Sequence, residues 1–212
     1  MVKQERAART RQALVRAAAE VFARDGFVMA SLSSISKKAG VSNGALHFHF
    51  ESKQALARAV ADEAAAIVRT LAAPARSGAA DPLQRLVDAT HALMGRLEHD
   101  VVLRAGFELG TGSPRRSDSP DLRGQWQMWV EGVLKDAERE GALAADVSAA
   151  DACVAVVAAT VGFEQLGAQD RTWRSPATLV QFWDLLLPRL ASAQTLRALV
   201  SGGTPAAAPE RT

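Results

Sequence analysis

Apolar residues along this 212-residue chain recur at helical intervals almost from end to end. Leu14, Ala18, Val21 and Phe22 stand at i, i+4, i+7 and i+8, which predicts a first helix from about Glu5 to Asp25, stopped by Gly26. Ser31 as N-cap predicts a short second helix burying Leu32, Ile35 and Ala39, and Gly40 breaks it. Ser42 caps a third short helix through about Phe48. Ser52 opens a fourth, long one, with Leu56, Val60, Ile67 and Leu71 on one stripe, ending before Pro74. Pro74 to Ala80 reads as a loop. Asp81-Pro82 supplies a cap and a first-turn proline for a helix whose stripe is Leu83, Leu86, Val87, Met94 and Leu97. A short apolar helix from about Val101 to Leu109 leads into a polar loop, Gly110 to Ser119. Ser119-Pro120 opens a helix with Trp126, Trp129, Val130, Val133 and Ala137 on one face. Ser148 and Asp151 resemble a capping box for an apolar helix over 149–168. Ser175-Pro176 begins the last long helix, through Phe182, Trp183, Leu186 and Leu190, which Pro188 is expected to kink. No stretch sustains the period-2 alternation of a strand, and there is no internal repeat, so the class is all-α.

Composition narrows the setting. With 48% hydrophobic residues the chain is neither disordered nor collagen-like. Its single cysteine, Cys153, cannot form an internal disulfide. The longest apolar run, Ala152 to Phe163, is 12 residues and interrupted, against the about 18–20 a membrane span needs. Met1 to Arg6 contains no apolar signal region. The expectation is a cytoplasmic protein with no membrane partner. The net charge of +2 hides an asymmetry. Residues 1–60 hold ten Lys/Arg against four Asp/Glu, a net +6, whereas 61–212 hold fifteen against nineteen, a net −4. A basic head on an acidic body suits a polyanion at the head.

The two short helices joined at Ala39-Gly40-Val41 have the makings of a helix-turn-helix. Gly40 tolerates positive φ in the turn, Val41 is an apolar residue between the helices, and Asn43 and His47, four apart, share a face of the second helix. Gly44 lets the backbone approach a surface, while Leu46, Phe48 and Phe50 are expected to anchor the other sides to the core. Such a helix fits the DNA major groove, where Asn pairs bidentately with adenine and His donates to purine N7 or O6. Arg9, Arg11, Ser33, Ser34, Lys37, Lys38 and Lys53 are candidate phosphate contacts. Blander readings stand beside these: Asn43 as a turn residue, Lys37-Lys38 as a solvated pair, His47 and His49 as surface histidines. A metal pair at His47/His49 is disfavoured, because i and i+2 on a helix diverge.

The run Gly26-Phe27, Ser31 through Phe50, and Ser52-Lys53-Gln54-Ala55-Leu56 resembles the DNA-binding domain of TetR-family transcriptional repressors over about residues 8–60. Val102-Leu103-Arg104-Ala105-Gly106, Trp126, Gly162-Phe163-Glu164-Gln165 and Leu185-Leu186-Leu187-Pro188 resemble the γ-butyrolactone autoregulator receptors of actinomycetes. The resemblance implies a helical homodimer with a three-helix reader, a long fourth helix as connector and lever, and a ligand-binding body whose last two long helices form the dimer interface. It places base contacts on Asn43, Gly44 and His47, and phosphate contacts near Ser42, His49 and Lys53. It also places Trp126 in the ligand pocket. Two departures stand out. The family commonly has Tyr at the position of His47 and Lys or Arg at that of Asn43, which implies a different operator and a weaker salt dependence.

In the body, Trp126 lies on an inward stripe, as a core residue or a pocket one. Thr160 and Gln165 are polar positions in or after an apolar helix, satisfied locally or aimed at a ligand. No carboxylate pair, Ser/His/Asp set or phosphate loop stands out, and His91 and His99 are isolated, so neither an enzyme nor a bound cofactor or metal is expected. The division expected is a reader over 1–52, a ligand-binding and dimerisation domain over 53–200, and a disordered tail over 201–212. The function expected is that of a repressor released from a palindromic operator by a small, largely apolar, γ-butyrolactone-like molecule. The alternatives are a pseudo-receptor answering antibiotics or other lipophiles, and a DNA-binding dimer without a ligand.

Overall fold

The computed structural model describes residues 2–72, 81–110 and 121–204. Ten α-helices and one 3-10 turn occur among them: α1 (Val2–Met29), α2 (Leu32–Lys38), α3 (Asn43–His49), α4 (Lys53–Ala72), α5 (Pro82–His99), α6 (Val101–Leu109), α7 (Leu122–Arg139), α8 (Ala149–Leu166), the turn Arg171–Arg174, α9 (Pro176–Leu190) and α10 (Ala193–Leu196). The one β feature among the described residues is an isolated antiparallel bridge between Leu143 and Ala191. The expected loop over 74–80, the Ser119-Pro120 helix start and all but Gly110 of the loop before it lie outside the described residues.

The helices form two compact units, and the division does not follow chain order. The first comprises residues up to Thr70 together with His99–Gln125, and the second comprises Leu71–Glu98 with Trp126 onward. Both α4 and α6 pack in the first unit: Leu56 and Val60 of α4 and Val102 and Ala105 of α6 share one core with α1.

In the first unit, Leu14, Val15, Ala18, Val21 and Phe22 of α1 meet Ile35 of α2 and Leu46 of α3. Gly26, at φ 73° and ψ 158°, breaks α1 one turn before its end, the positive φ that stop required. Ser31 and Ser34 cap α2 reciprocally: Ser31 Oγ accepts from Ser34 N at 3.1 Å, and Ser31 N donates to Ser34 Oγ at 3.4 Å. Serine here fills the place Glu or Gln takes in the commoner box. Gly40, at φ 68°, turns the chain so that Val41 N donates to Ser36 O at 3.0 Å. On α6, Gly106 meets α4 so closely that a Cβ there would collide with the Ala64 Cβ and stand 3.1 Å from Leu122 Cδ1.

The second unit buries Leu83, Leu86, Val87, Met94 and Leu97 of α5, Trp126, Val130 and Leu134 of α7, Val156 of α8, and Trp183, Leu187 and Leu190 of α9. Asp81 caps α5 through Leu83 N at 2.8 Å. Ser148 caps α8, accepting from Asp151 N at 3.1 Å and donating to Asp151 Oδ2 at 2.6 Å, so the short carboxylate serves where Glu was the usual partner. α8 ends at Leu166, two residues early, and α9 continues through Pro188 to Leu190. The tail differs from expectation at its start. Buried Gln84 accepts from Val200 N at 2.8 Å, His91 Nε2 pairs with Ser201 O at 2.9 Å, and Asp88 accepts from both Thr204 N and its hydroxyl. Ser201–Thr204 is thus fastened to one face of α5, and 205–212 lie outside the described residues.

Candidate nucleic-acid interface and ligand-binding body

α3 is held by its ends. The Ser42 hydroxyl accepts from Ala45 N at 3.1 Å to open the helix, and Leu46 and Phe50 are buried below it. Asn43, Gly44 and His47 are exposed, as the spacing predicts. Asn43 is also fixed: its Oδ1 accepts from the Ser36 hydroxyl at 2.5 Å, across the turn from α2. Phe48 corrects the sequence reading. It was expected to anchor α3 and is instead 82% exposed, with its ring edge-on to His49 at 5.2 Å. Residues two apart on an α-helix diverge by about 200°, so burying Leu46 forces Phe48 outward.

The candidate phosphate contacts divide into free and committed groups. Arg11 is exposed and lies over the Phe50 ring at 5.2 Å, which brings its guanidinium to the end of α3. Arg9 makes only a loose 4.0 Å pair with Glu5, both exposed, and Ser33 and Lys37 are exposed on α2. Ser34 and Ser42 spend their hydroxyls on helix caps, and His49 is half-buried. Lys38 is paired with Glu20 at 2.8 Å, and this ammonium holds the Glu20 carboxyl below the usual carboxylate range. Lys53 is committed too. Its ammonium donates to Phe27 O at 2.8 Å, Val28 O at 3.0 Å and Ala30 O at 2.8 Å, and sits 4.7 Å from the Phe27 ring centre. An ammonium has three hydrogens; all three bind carbonyls after α1's break, so Lys53 fixes the α1–α2 corner.

In the second unit, Trp126 and Thr160 come together: the buried indole Nε1 donates to Thr160 Oγ1 at 2.9 Å, with Trp129 stacked 5.0 Å away. Gln165 does not join them. It is exposed on the last turn of α8 and donates to Glu164 Oε2 at 3.0 Å. α8 as a whole is long and apolar enough to cross a membrane by composition, with mean hydropathy 1.4. Only 39% of that span is buried, with Ala152, Val156, Thr160 and Phe163 turned inward. Cys153 is buried as well, which pushes its thiol pKa up. Among the described residues no group of three or more His, Cys, Asp or Glu is arranged to hold a metal ion.

Residues 14–60, which span α3 and its supports, match the family described as bacterial regulatory proteins, tetR family. A solved gamma-butyrolactone receptor, described as ArpA-like, superimposes with a TM-score of 0.79 at 30% identity, over 93% of this chain and 96% of that one. The chain belongs to the tetR family. Among its tetR-family relatives, CprB from Streptomyces coelicolor, solved with its biological operator sequence, superimposes with a TM-score of 0.76 at 29% identity, over 91% of this chain and 94% of that one. The A-factor receptor protein of Streptomyces griseus is 29% identical over 201 residues, covering 90% of this chain and 67% of its own length. The chain is thus a tetR-family DNA-binding regulator similar to gamma-butyrolactone receptors.

Two features of this tetR-family body were not read from sequence. Trp183 was placed on the stripe of its helix, yet its indole Nε1 is fully buried with no hydrogen-bond partner. Leaving such a donor unpaired costs about 1–3 kcal/mol. Arg174, also buried, donates to Glu164 O and lies against Gly167, where any Cβ would collide with its side chain. A glycine at a helix C-cap followed by an arginine seven residues on carries no recognisable signal.

Proposed function

We propose that this chain is a ligand-responsive repressor. Its homodimer binds a palindromic operator, with α3 of each protomer in the major groove at centres about 34 Å apart or a multiple of that. The observation that carries the reading is the outward row of α3, where Asn43, pre-set by Ser36, and His47 flank the bare backbone of Gly44. Asn43 reads adenine, His47 donates to a purine edge, and Arg9, Arg11, Ser33, Lys37 and His49 supply phosphate contacts. The operator complex of CprB supports this use of the fold. The dimer forms through α8 and α9, whose Val154 and Leu185 are 72% and 82% exposed in the single chain. The reader of residues 1–52 serves a body of 53–200 and works in the cytoplasm.

The ligand is small and largely apolar, of the γ-butyrolactone kind, and enters beside Trp126 and Trp183. The unpaired indole N–H of Trp183 supports this, since a carbonyl or hydroxyl oxygen of a lactone satisfies it. To release DNA, the ligand must bind the non-binding arrangement of the dimer more tightly than the DNA-bound one. The test is capture of genomic fragments by the purified protein, followed by release with γ-butyrolactones. Recovery of one palindromic motif, lost on addition of a lactone, is expected. Capture without a shared motif would remove the operator reading, and capture that no lactone or other lipophile releases would remove the ligand.

A further inference from the structure

Phe48 is an aromatic ring exposed at the centre of a surface otherwise built for a polyanion. Burying Leu46 and Phe50 beneath α3 turns position 48 outward, and nothing in the core requires an aromatic ring there. One turn earlier on the same row stands Gly44, four residues back and so about 5–6 Å away between Cβ positions. A Cβ built on Gly44 would meet nothing nearer than Ser42 Oγ at 3.8 Å, so the space beside the ring is open. The Asn43–His47 row, which supplies polar groups, runs immediately alongside. The result is an apolar notch, floored by the Gly44 backbone and walled by the Phe48 ring, in a head of net charge +6 over residues 1–60.

We propose that this notch reads the C5-methyl group of a thymine in the operator. The proposal rests on the operator reading above and adds a base preference that the polar row does not supply. In the major groove thymine alone presents a methyl group, and an aromatic side chain is one of the surfaces that receives it. The surrounding charge, with Arg11 held over Phe50 at the end of the same helix, selects an occupant that brings phosphates with it. An apolar protein partner does not fit that setting.

The experiment uses the full-length protein and the duplex it selects from a randomised pool. Each thymine of the selected site is replaced in turn by deoxyuridine, which lacks only the methyl, and affinity is read by fluorescence anisotropy. At one thymine in each half-site the wild-type protein is expected to lose about fourfold in affinity, the worth of one buried methyl. Phe48→Ala should bind the thymine and deoxyuridine duplexes equally. Phe48→Leu, still apolar, should keep part of the difference. Gly44→Ala, which has room to fold, should fill the notch and lower affinity for the thymine duplex most. Indifference of the wild type to every replacement would overturn the proposal, as would a Phe48→Ala protein that still discriminates. Failure of the wild type to select any sequence would instead overturn the operator reading on which the proposal stands.

Discussion

The indole of Trp126 donates to the hydroxyl of Thr160 at 2.9 Å, and that hydroxyl lies 2.9 Å from Val156 O one turn back on its own helix. A threonine that back-bonds within α8 thereby offers a lone pair to a tryptophan on α7. Trp126 is a core residue in this structure, and its one polar atom is satisfied by Thr160, itself bonded within its own helix. Thr160→Val keeps the shape and removes the acceptor. It should lower stability by about 1–3 kcal/mol, read from urea unfolding, whereas Thr160→Ser should lose much less. Equal stability of Thr160→Val and wild type would show that the bond contributes nothing.

Replacing Asn43 and His47 together by Ala should strip operator preference down to the small thymine contribution of Phe48 while leaving secondary structure and dimerisation unchanged, since both are exposed. Residual binding to any duplex should persist through the phosphate contacts and fall steeply with salt. Selection by the double variant of the same sequence as wild type would take α3's polar row out of base reading.

Lys53→Met should act on stability and not on the electrostatics of binding. Three carbonyls would lose their charged donor, at a cost of about 1.5–3 kcal/mol, taken from charge-assisted hydrogen bonds. The slope of log affinity against log salt should stay as it is, because no phosphate contact is removed. A slope shallower by about one, with unchanged stability, would reverse the assignment.

Gly106→Ala tests the close approach of α6 to α4. The added methyl meets the Ala64 Cβ head-on, and neither group can rotate away. Overpacking of this kind costs about 1–3 kcal/mol. The paired change Ala64→Gly should recover part of it, and a thermal melt of the three proteins decides the matter.

Trp183→Phe removes an unpaired donor and retains most of the ring. Stability should hold or rise, while the affinity for a lactone that answers this donor should fall about five- to a hundredfold, the equivalent of about 1–3 kcal/mol. Thermal-shift titration measures both in one series. Undiminished lactone affinity would place the ligand's oxygens elsewhere.

The reader was legible because its instructions are local. Ser31, Gly40 and Ser42 each act within three or four residues, and capping and positive-φ signals have that range. α3, at seven residues, is too short to show a periodicity, so Phe48 was grouped with Leu46 and Phe50 although it had to diverge from the other two. The carbonyl contacts of Lys53 were hidden for a different reason. Its partners lie 23 to 26 residues back and are backbone carbonyls, which are the same for every sequence. A basic side chain near a recognition helix looks alike whether it serves DNA or a corner of the fold. The packing of α6 beside α1 was hidden likewise, since it depends on chain path and not on any local signal.

Gln84 and Val200 are 116 positions apart and exchange hydrogen bonds in both directions, Gln84 accepting at 2.8 Å and donating at 3.2 Å. Every shortened form of the protein inherits a rule from this pair. A cut after Thr204 leaves the fastening whole, whereas a cut before Val200 strands a buried amide with two vacant bonding positions. A glutamine on α5 thus sets how far a shortened chain must reach to keep this bond.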